Sequence, residues 1–252
     1  MSSQKSIENN QATAEVAEMS FLDHLEELRW RVIYALIGLI IGTIIAWVFI
    51  DYIVEGFLLV PAKSAGIHLQ NLRPFGQLFL YFQVAMIAGF IISLPNVFYQ
   101  FWKFVAPALK ENEKKYISSI VIFSTFCFLA GIFFAYYLML PITLKFAAQF
   151  GTEEIENNFA IKEYLSIIIS IMLAAGLVFE LPMLSFILSK IGILTPKLMQ
   201  KYRRHAIVVI MILAAILTPG TDPIAQLLLA VPLVLLYEIS IFVSKIFQKK
   251  VE

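Results

Sequence analysis

The sequence predicts an all-α membrane protein: six transmembrane helices, both termini cytoplasmic, and the last two helices short. Three observations predict it. Hydrophobic residues make up 60% of the 252-residue chain, charged ones 15%, and mean hydropathy is +0.83, more apolar surface than a soluble domain of this length can use. Apolar runs close to the roughly 20 residues needed to cross a bilayer core recur along the chain. Basic residues alternate between the loops that join these runs, as a polytopic protein requires.

Residues 1–18 are polar, hold Lys5 as their one basic residue and lack an apolar core, unlike a secretory signal or an Arg-rich transit peptide. A disordered cytoplasmic tail is expected there. A single six-helix domain is expected over residues 19–244, with a second cytoplasmic tail at 245–252. The domain opens on Met19–Arg31, where Ser20 and Asp23 form a Ser-x-x-Asp capping box. Leu22, Leu25 and Leu28 follow at helical spacing. Val32–Ile50 then runs 19 residues without a charge. A short charged helix is therefore expected at the membrane surface, continuous with the first span.

The next spans are Gly76–Trp102, Tyr116–Leu140 and Tyr164–Leu188, each long enough to cross with tilt. His205–Thr218 is shorter: Ala206 to Leu217 are 12 strictly apolar residues, about 18 Å of helix. Ile224–Val243 holds 14 uncharged residues before Glu238. These two segments are expected to form one short hairpin around the turn Thr218–Pro223, re-entrant or thinning the bilayer locally. With six spans, one side holds 15 of the 19 Lys and Arg, and the other only Lys63, Arg73, Lys145 and Lys162. The basic side faces the cytoplasm.

Trp30, Trp47, Trp102, Tyr136 and Tyr137 fall at span ends, as interface anchors do. Pro95 and Pro182 each remove a backbone donor inside a span and are expected to kink it. Gly38, Gly42 and Ala46 line one face of the first span and suit close helix packing. The two outer loops, roughly 51–75 and 141–163, are each long enough for a short helix or cap.

Few residues offer chemistry. Cys127 is the single cysteine, so no intrachain disulfide forms, and it reads as a small buried hydrophobe. His24, His68 and His205 fall on different loops, which argues against a shared metal site. His24-Leu-Glu-Glu-Leu lacks the second histidine of a zinc protease motif, and no Walker loop or G-x-S-x-G is found. Neither enzyme activity, cofactor, metal nor nucleic acid is expected. Glu180 is the one charged residue between Tyr164 and Ser189. A carboxylate there costs on the order of 2.5–3.5 kcal/mol, so it faces a protein interior or a wet cavity, or stays protonated. It reads either as a satisfied structural Glu or as a functional group in a groove opened by Pro182. Glu111 and Glu113 sit among Lys103, Lys110, Lys114 and Lys115. Alone, that loop reads as a solvated segment that sets topology, and Glu26 and Glu27 allow the same reading.

Four stretches together resemble one family, TatC, the multispanning core of the twin-arginine protein translocase. They are His24-Leu-x-Glu27-Leu-Arg29-x-Arg31, Phe104-x-Ala-Pro-Ala-Leu-x-x-x-Glu113, Phe179-Glu180-x-Pro182 and Thr218-Pro219-x-x-Asp222-x-x-x-Gln226. The resemblance spans about residues 20–244. It departs at Arg203-Arg204-His205, where the family often has Arg-Arg-Tyr, and at Gly220-Thr221 in the outer turn. The resemblance implies a receptor for twin-arginine signal peptides on folded cargo, in the cytoplasmic membrane and driven by the proton-motive force. It implies TatA/TatB-type single-span partners and further copies of the chain itself. It also implies that Glu27 and Glu113 bind the two guanidiniums, with Arg29, Arg31 and Phe104 shaping the site. Glu180 would lie where the apolar part of the signal or a partner helix inserts, and Asp222 and Gln226 would meet a partner at the outer hairpin.

The chemistry suits that expectation. Guanidinium pairs with carboxylate through two parallel charge-assisted hydrogen bonds, each worth about 1.5–3 kcal/mol. Lysine cannot copy that geometry. The competing readings are a secondary transporter with Glu180 as proton carrier, and an intramembrane enzyme, for which no nucleophile–base pair is evident.

Overall fold

The computed structural model describes residues 2–105, 117–149, 158–191, 194–217 and 223–247. Helix α1 is Ser2–Val48. Its helical backbone thus includes the stretch expected as a disordered tail, and Ser20 lies inside the helix rather than capping its start. The physical reason is propagation. Ala12, Ala14, Ala17, Glu15 and Glu18 are good helix formers, and extending a helix already nucleated in the span costs far less than starting one.

After α1 the chain builds an outer cap from α2 (Ile50–Ile53), a π-helical run at Val54–Leu58, α3 (Val60–Ser64) and strand β1 (His68–Gln70). Gly66, at φ +70°, makes the turn into β1. Helix α4 (Gly76–Val105) returns through the molecule, and its helix stays unbroken at Pro95. Helix α5 (Ile117–Phe134) passes through a second π-helical run, Ala135–Met139, into α6 (Leu140–Gln149). Both π runs come just before a proline, Pro61 and Pro141, where a missing N–H leaves the hydrogen-bond ladder to widen.

Strand β2 (Asn158–Ala160) pairs in parallel with β1, setting Leu69 opposite Phe159. The two outer loops are therefore tied to each other. Helix α7 (Ile161–Phe179) ends at Glu180, and α8 (Leu181–Ile191) begins beside Pro182. Glu180 keeps right-handed helical angles (φ −76°, ψ −12°), so the two helices follow each other through one irregular turn and form a single membrane-crossing stretch, Ile161–Ser189. A short α9 (Pro196–Lys201), capped by the Thr195 hydroxyl, leads to α10 (Arg203–Leu217) and α11 (Pro223–Phe247).

Among the described residues, five stretches are long and apolar enough to cross a membrane: Asp23–Val48, Gly76–Val105, Ile117–Lys145, Ile161–Ser189 and Leu229–Ile246. Helix α10 is a sixth apolar helix but has only 15 residues, about 22 Å. The expectation that both final helices are short holds for α10 and fails for α11, which has 25 residues, about 37 Å. The cause is Glu238. It follows only 14 uncharged residues, which made the span look short, but its carboxylate is bound by Arg203 at the head of α10 through Nε and Nη2, and the helix runs on to Phe247.

The core gathers Leu80, Val84 and Leu94 of α4, Phe128 and Ile132 of α5, and Leu165 and Ile168 of α7. Trp102, Ile120, Val121, Met183 and Ile187 form a second cluster toward the C-terminal end of α4. The outer cap is fastened to this core by two tyrosines. Tyr136 donates to Phe57 O at 2.8 Å and stacks on the Phe57 ring. Tyr164 donates to Leu58 O at 2.8 Å and accepts from Ala62 N at 3.0 Å.

Candidate functional site

Helices α1 and α4 run antiparallel, and their crossing is set by small residues. A side chain on Gly42 would collide with the Gly89 backbone, one on Gly38 with Asn96, and Ala46 is fully buried. The glycine stripe read from sequence thus serves packing within the chain. The close approach lets polar groups on the two helices meet in order toward the α4 C-terminus. The Asn96 amide donates to Tyr34 O at 3.0 Å, and Gln100 Nε2 donates to Asn96 Oδ1 at 3.4 Å. Arg31 then donates through Nη1 to Gln100 Oε1 at 3.3 Å and through Nη2 to Glu27 Oε1 at 2.9 Å. At the end of the row His24 stacks on Phe104, ring centroids 4.5 Å apart.

Glu27 is the chemically open member. Its side chain keeps 35% of its exposure, against 19% for Arg31, and only Oε1 is engaged by Arg31. It is held at a helix crossing by an arginine and remains able to accept a further donor. Arg31 is held less completely, since its Nε is buried without a partner.

Of the residues read as one binding site, Glu27, Arg31 and Phe104 come together here. Arg29 does not join them: it is exposed, with its guanidinium 5.7 Å from the Trp30 ring. Glu113 and Asp222 lie outside the described residues. Gln226 donates from Nε2 to Met211 O at 3.1 Å, which ties α11 to α10. Sequence reasoning missed Asn96 and Gln100. Their signal was present, because two amides in an apolar helix, four residues apart and followed four later by Phe104, share one face.

Glu180 occupies a second polar spot inside the bundle. It is only 7% exposed, facing the protein interior. The crossing of α5 and α7 is tight there. A Cβ on Gly131 would stand 2.6 Å from Ala175 O, and one on Gly176 2.7 Å from the Phe128 ring. One turn beyond Gly176, the Glu180 carboxyl faces Ser124, with Cys127 close by. Neither Glu180 Oε1 nor Ser124 Oγ has a partner in good hydrogen-bond geometry. Buried groups left in this state cost stability, and a small rotation of the Ser124 hydroxyl toward the carboxyl would satisfy both.

Fold and sites together define a multi-pass α-helical membrane protein with polar groups gathered at the end of its first two long helices and at one irregular turn inside the bundle. Residues 23–232 match the family model for the Sec-independent protein translocase protein TatC. The TatC proteins of Carboxydothermus hydrogenoformans and Aquifex aeolicus are 38% and 36% identical to the chain. Each comparison covers 92% of this chain, with 95% and 97% of those proteins. A crystal structure of the twin-arginine translocase receptor TatC superposes with a TM-score of 0.78 at 36% identity, covering 88% of this chain and 98% of that one. The chain belongs to the TatC family.

Proposed function

We propose that this protein is the twin-arginine signal-peptide receptor and membrane core of a translocase that exports folded proteins on the proton-motive force. It works in the cytoplasmic membrane with six spans, α10 being the short fifth, and both termini in the cytoplasm. The positive-inside distribution of Lys and Arg supports that orientation. The carrying observation is Glu27: a partly exposed carboxylate at the α1–α4 crossing, with one oxygen unengaged among the described residues, beside the His24–Phe104 stack. One signal arginine binds there, and the second binds Glu113, which follows α4 in the chain. The apolar part of the signal, or the helix of a TatA/TatB-type partner, lies against the bundle near Glu180. The outer ends of α10 and α11, around Asp222 and Gln226, form a partner edge, and several copies assemble in the working complex.

The test is crosslinking of a twin-arginine signal peptide to the purified protein. Glu27→Ala and Glu113→Ala are each expected to weaken it about tenfold or more, the loss of one charge-assisted pair. Undiminished crosslinking in both variants contradicts the receptor role.

A further inference from the structure

Helix α9 and the head of α10 carry Lys197, Lys201, Arg203, Arg204 and His205, all exposed. Arg203 is neutralised by Glu238 of α11, whereas Lys197, Lys201 and Arg204 form no ion pair among the described residues. The frame beneath them is fixed. Pro196 and Met199 are buried, and Tyr237 of α11 donates to Met199 O at 2.9 Å. Lys197 and Lys201, four apart on α9, therefore share the face turned away from the protein. The Lys201 ammonium lies 5.9 Å from the centre of the Tyr202 ring, which packs T-shaped on His205 with centroids 5.6 Å apart. We propose that this elbow binds an anionic phospholipid, with Lys197, Lys201 and Arg204 on the headgroup and the exposed stripe of α10 along the acyl chains. The inference needs only a bilayer and stands apart from the receptor reading.

Two features select a lipid as the occupant. The first is that charge runs straight into apolar surface. Arg204 shares a helix face with Val208 and Ile212, and His205 shares one with Val209 and Leu213, and all four apolar side chains are exposed. A soluble anion would use the cations and leave that stripe bare, while a phospholipid covers both. The second is length. Helix α10 has 15 residues, about 22 Å, against a hydrocarbon core of about 30 Å. A helix that short draws the headgroup layer inward, which brings phosphates to Arg204. A guanidinium suits phosphate through paired N–H groups, and the two ammoniums add point charges beside it. Charge complementarity then favours a lipid of net negative charge, because a zwitterionic headgroup brings a cation of its own into a patch of uncompensated cations. Elsewhere the cations are engaged: Arg31 is paired with Glu27, and Lys103 donates to the Tyr99 hydroxyl at 3.3 Å.

The experiment places a fluorophore beside the site in the full-length protein, in nanodiscs of mixed phosphatidylcholine and phosphatidylglycerol. Val208→Cys in a Cys127→Ala background carries the probe, and Phe126→Cys, at an exposed position midway along α5, carries the control. Quenching by phosphatidylglycerol with brominated acyl chains is compared with quenching by phosphatidylcholine with the same chains, so their ratio reports local enrichment. At position 208 the anionic lipid is expected to be enriched about tenfold, and at 126 not at all. Replacing Lys197, Lys201 and Arg204 together by Gln should bring the ratio at 208 down to that at 126, each single replacement lowering it about two- to fivefold. The variant Lys197→Arg, Lys201→Arg, Arg204→Lys keeps every charge and should keep the enrichment. Unaltered quenching at 126 by phosphatidylcholine verifies that each variant is folded. Equal ratios at 208 and 126 in the parent, or an enrichment that survives the triple Gln replacement, overturns the proposal. So does a probe at 208 that neither brominated lipid quenches, because protein then covers the stripe.

Discussion

Tyr164 joins parts of the chain about a hundred residues apart. Its hydroxyl both donates to Leu58 O and accepts from Ala62 N while fully inside the protein. Tyr164→Phe keeps the ring and orphans two backbone groups, so a loss of about 1–3 kcal/mol is expected. It should show as a lower detergent melting temperature and faster proteolysis within residues 51–75. Unchanged melting and proteolysis would mean that the cap is held by other contacts. Gly131 is the second such position: Gly131→Val drives a side chain into Ala175 O and should cost about 1–3 kcal/mol as overpacking does. A variant as stable as the parent would contradict the close α5–α7 crossing. At this scale the sequence was uneven. Glu180 announced itself as the lone charge in an apolar run, whereas Tyr164 marked only the start of a span, because its partners are backbone atoms that leave no pattern in the chain.

Among the elements, α10 and α11 teach the same lesson. The short fifth helix was legible, since twelve apolar residues between charges admit little else. The sixth was expected to be short because only 14 uncharged residues precede Glu238, while Arg203, 35 residues upstream, pairs with that charge. Pairing at such separation is a tertiary fact. The irregular turn beside Pro182 was legible because proline acts locally. The β1–β2 pairing was not, for three-residue strands carry too little alternation to be read. The asymmetry of the hairpin makes a prediction. Inserting four leucines in α10 lengthens it by about 6 Å and should abolish assembly with a TatA/TatB-type partner in copurification while signal-peptide binding persists. Assembly that survives the insertion would rule out the short helix as a docking edge.

Across the whole molecule, the account depends on two carboxylates from distant parts of the chain meeting on one side of the membrane. Antiparallel packing of α1 on α4 carries Glu27 to the same end of the bundle as Phe104, from which the chain continues toward Glu113. The signatures that pointed to Glu27 and Phe104 were short motifs, and what they could not reveal was the partner each residue takes up. The direct measurement is thiol crosslinking in membrane vesicles, with Cys127 replaced by Ala and cysteines placed at positions 27 and 113. A bifunctional reagent matched to the reach of two adjacent arginine side chains is predicted to bridge the pair, and a membrane-impermeant blocker is predicted to reach both from the cytoplasmic side. Blocking of the two positions from opposite sides, or no bridge with any reagent of that reach, would contradict the account.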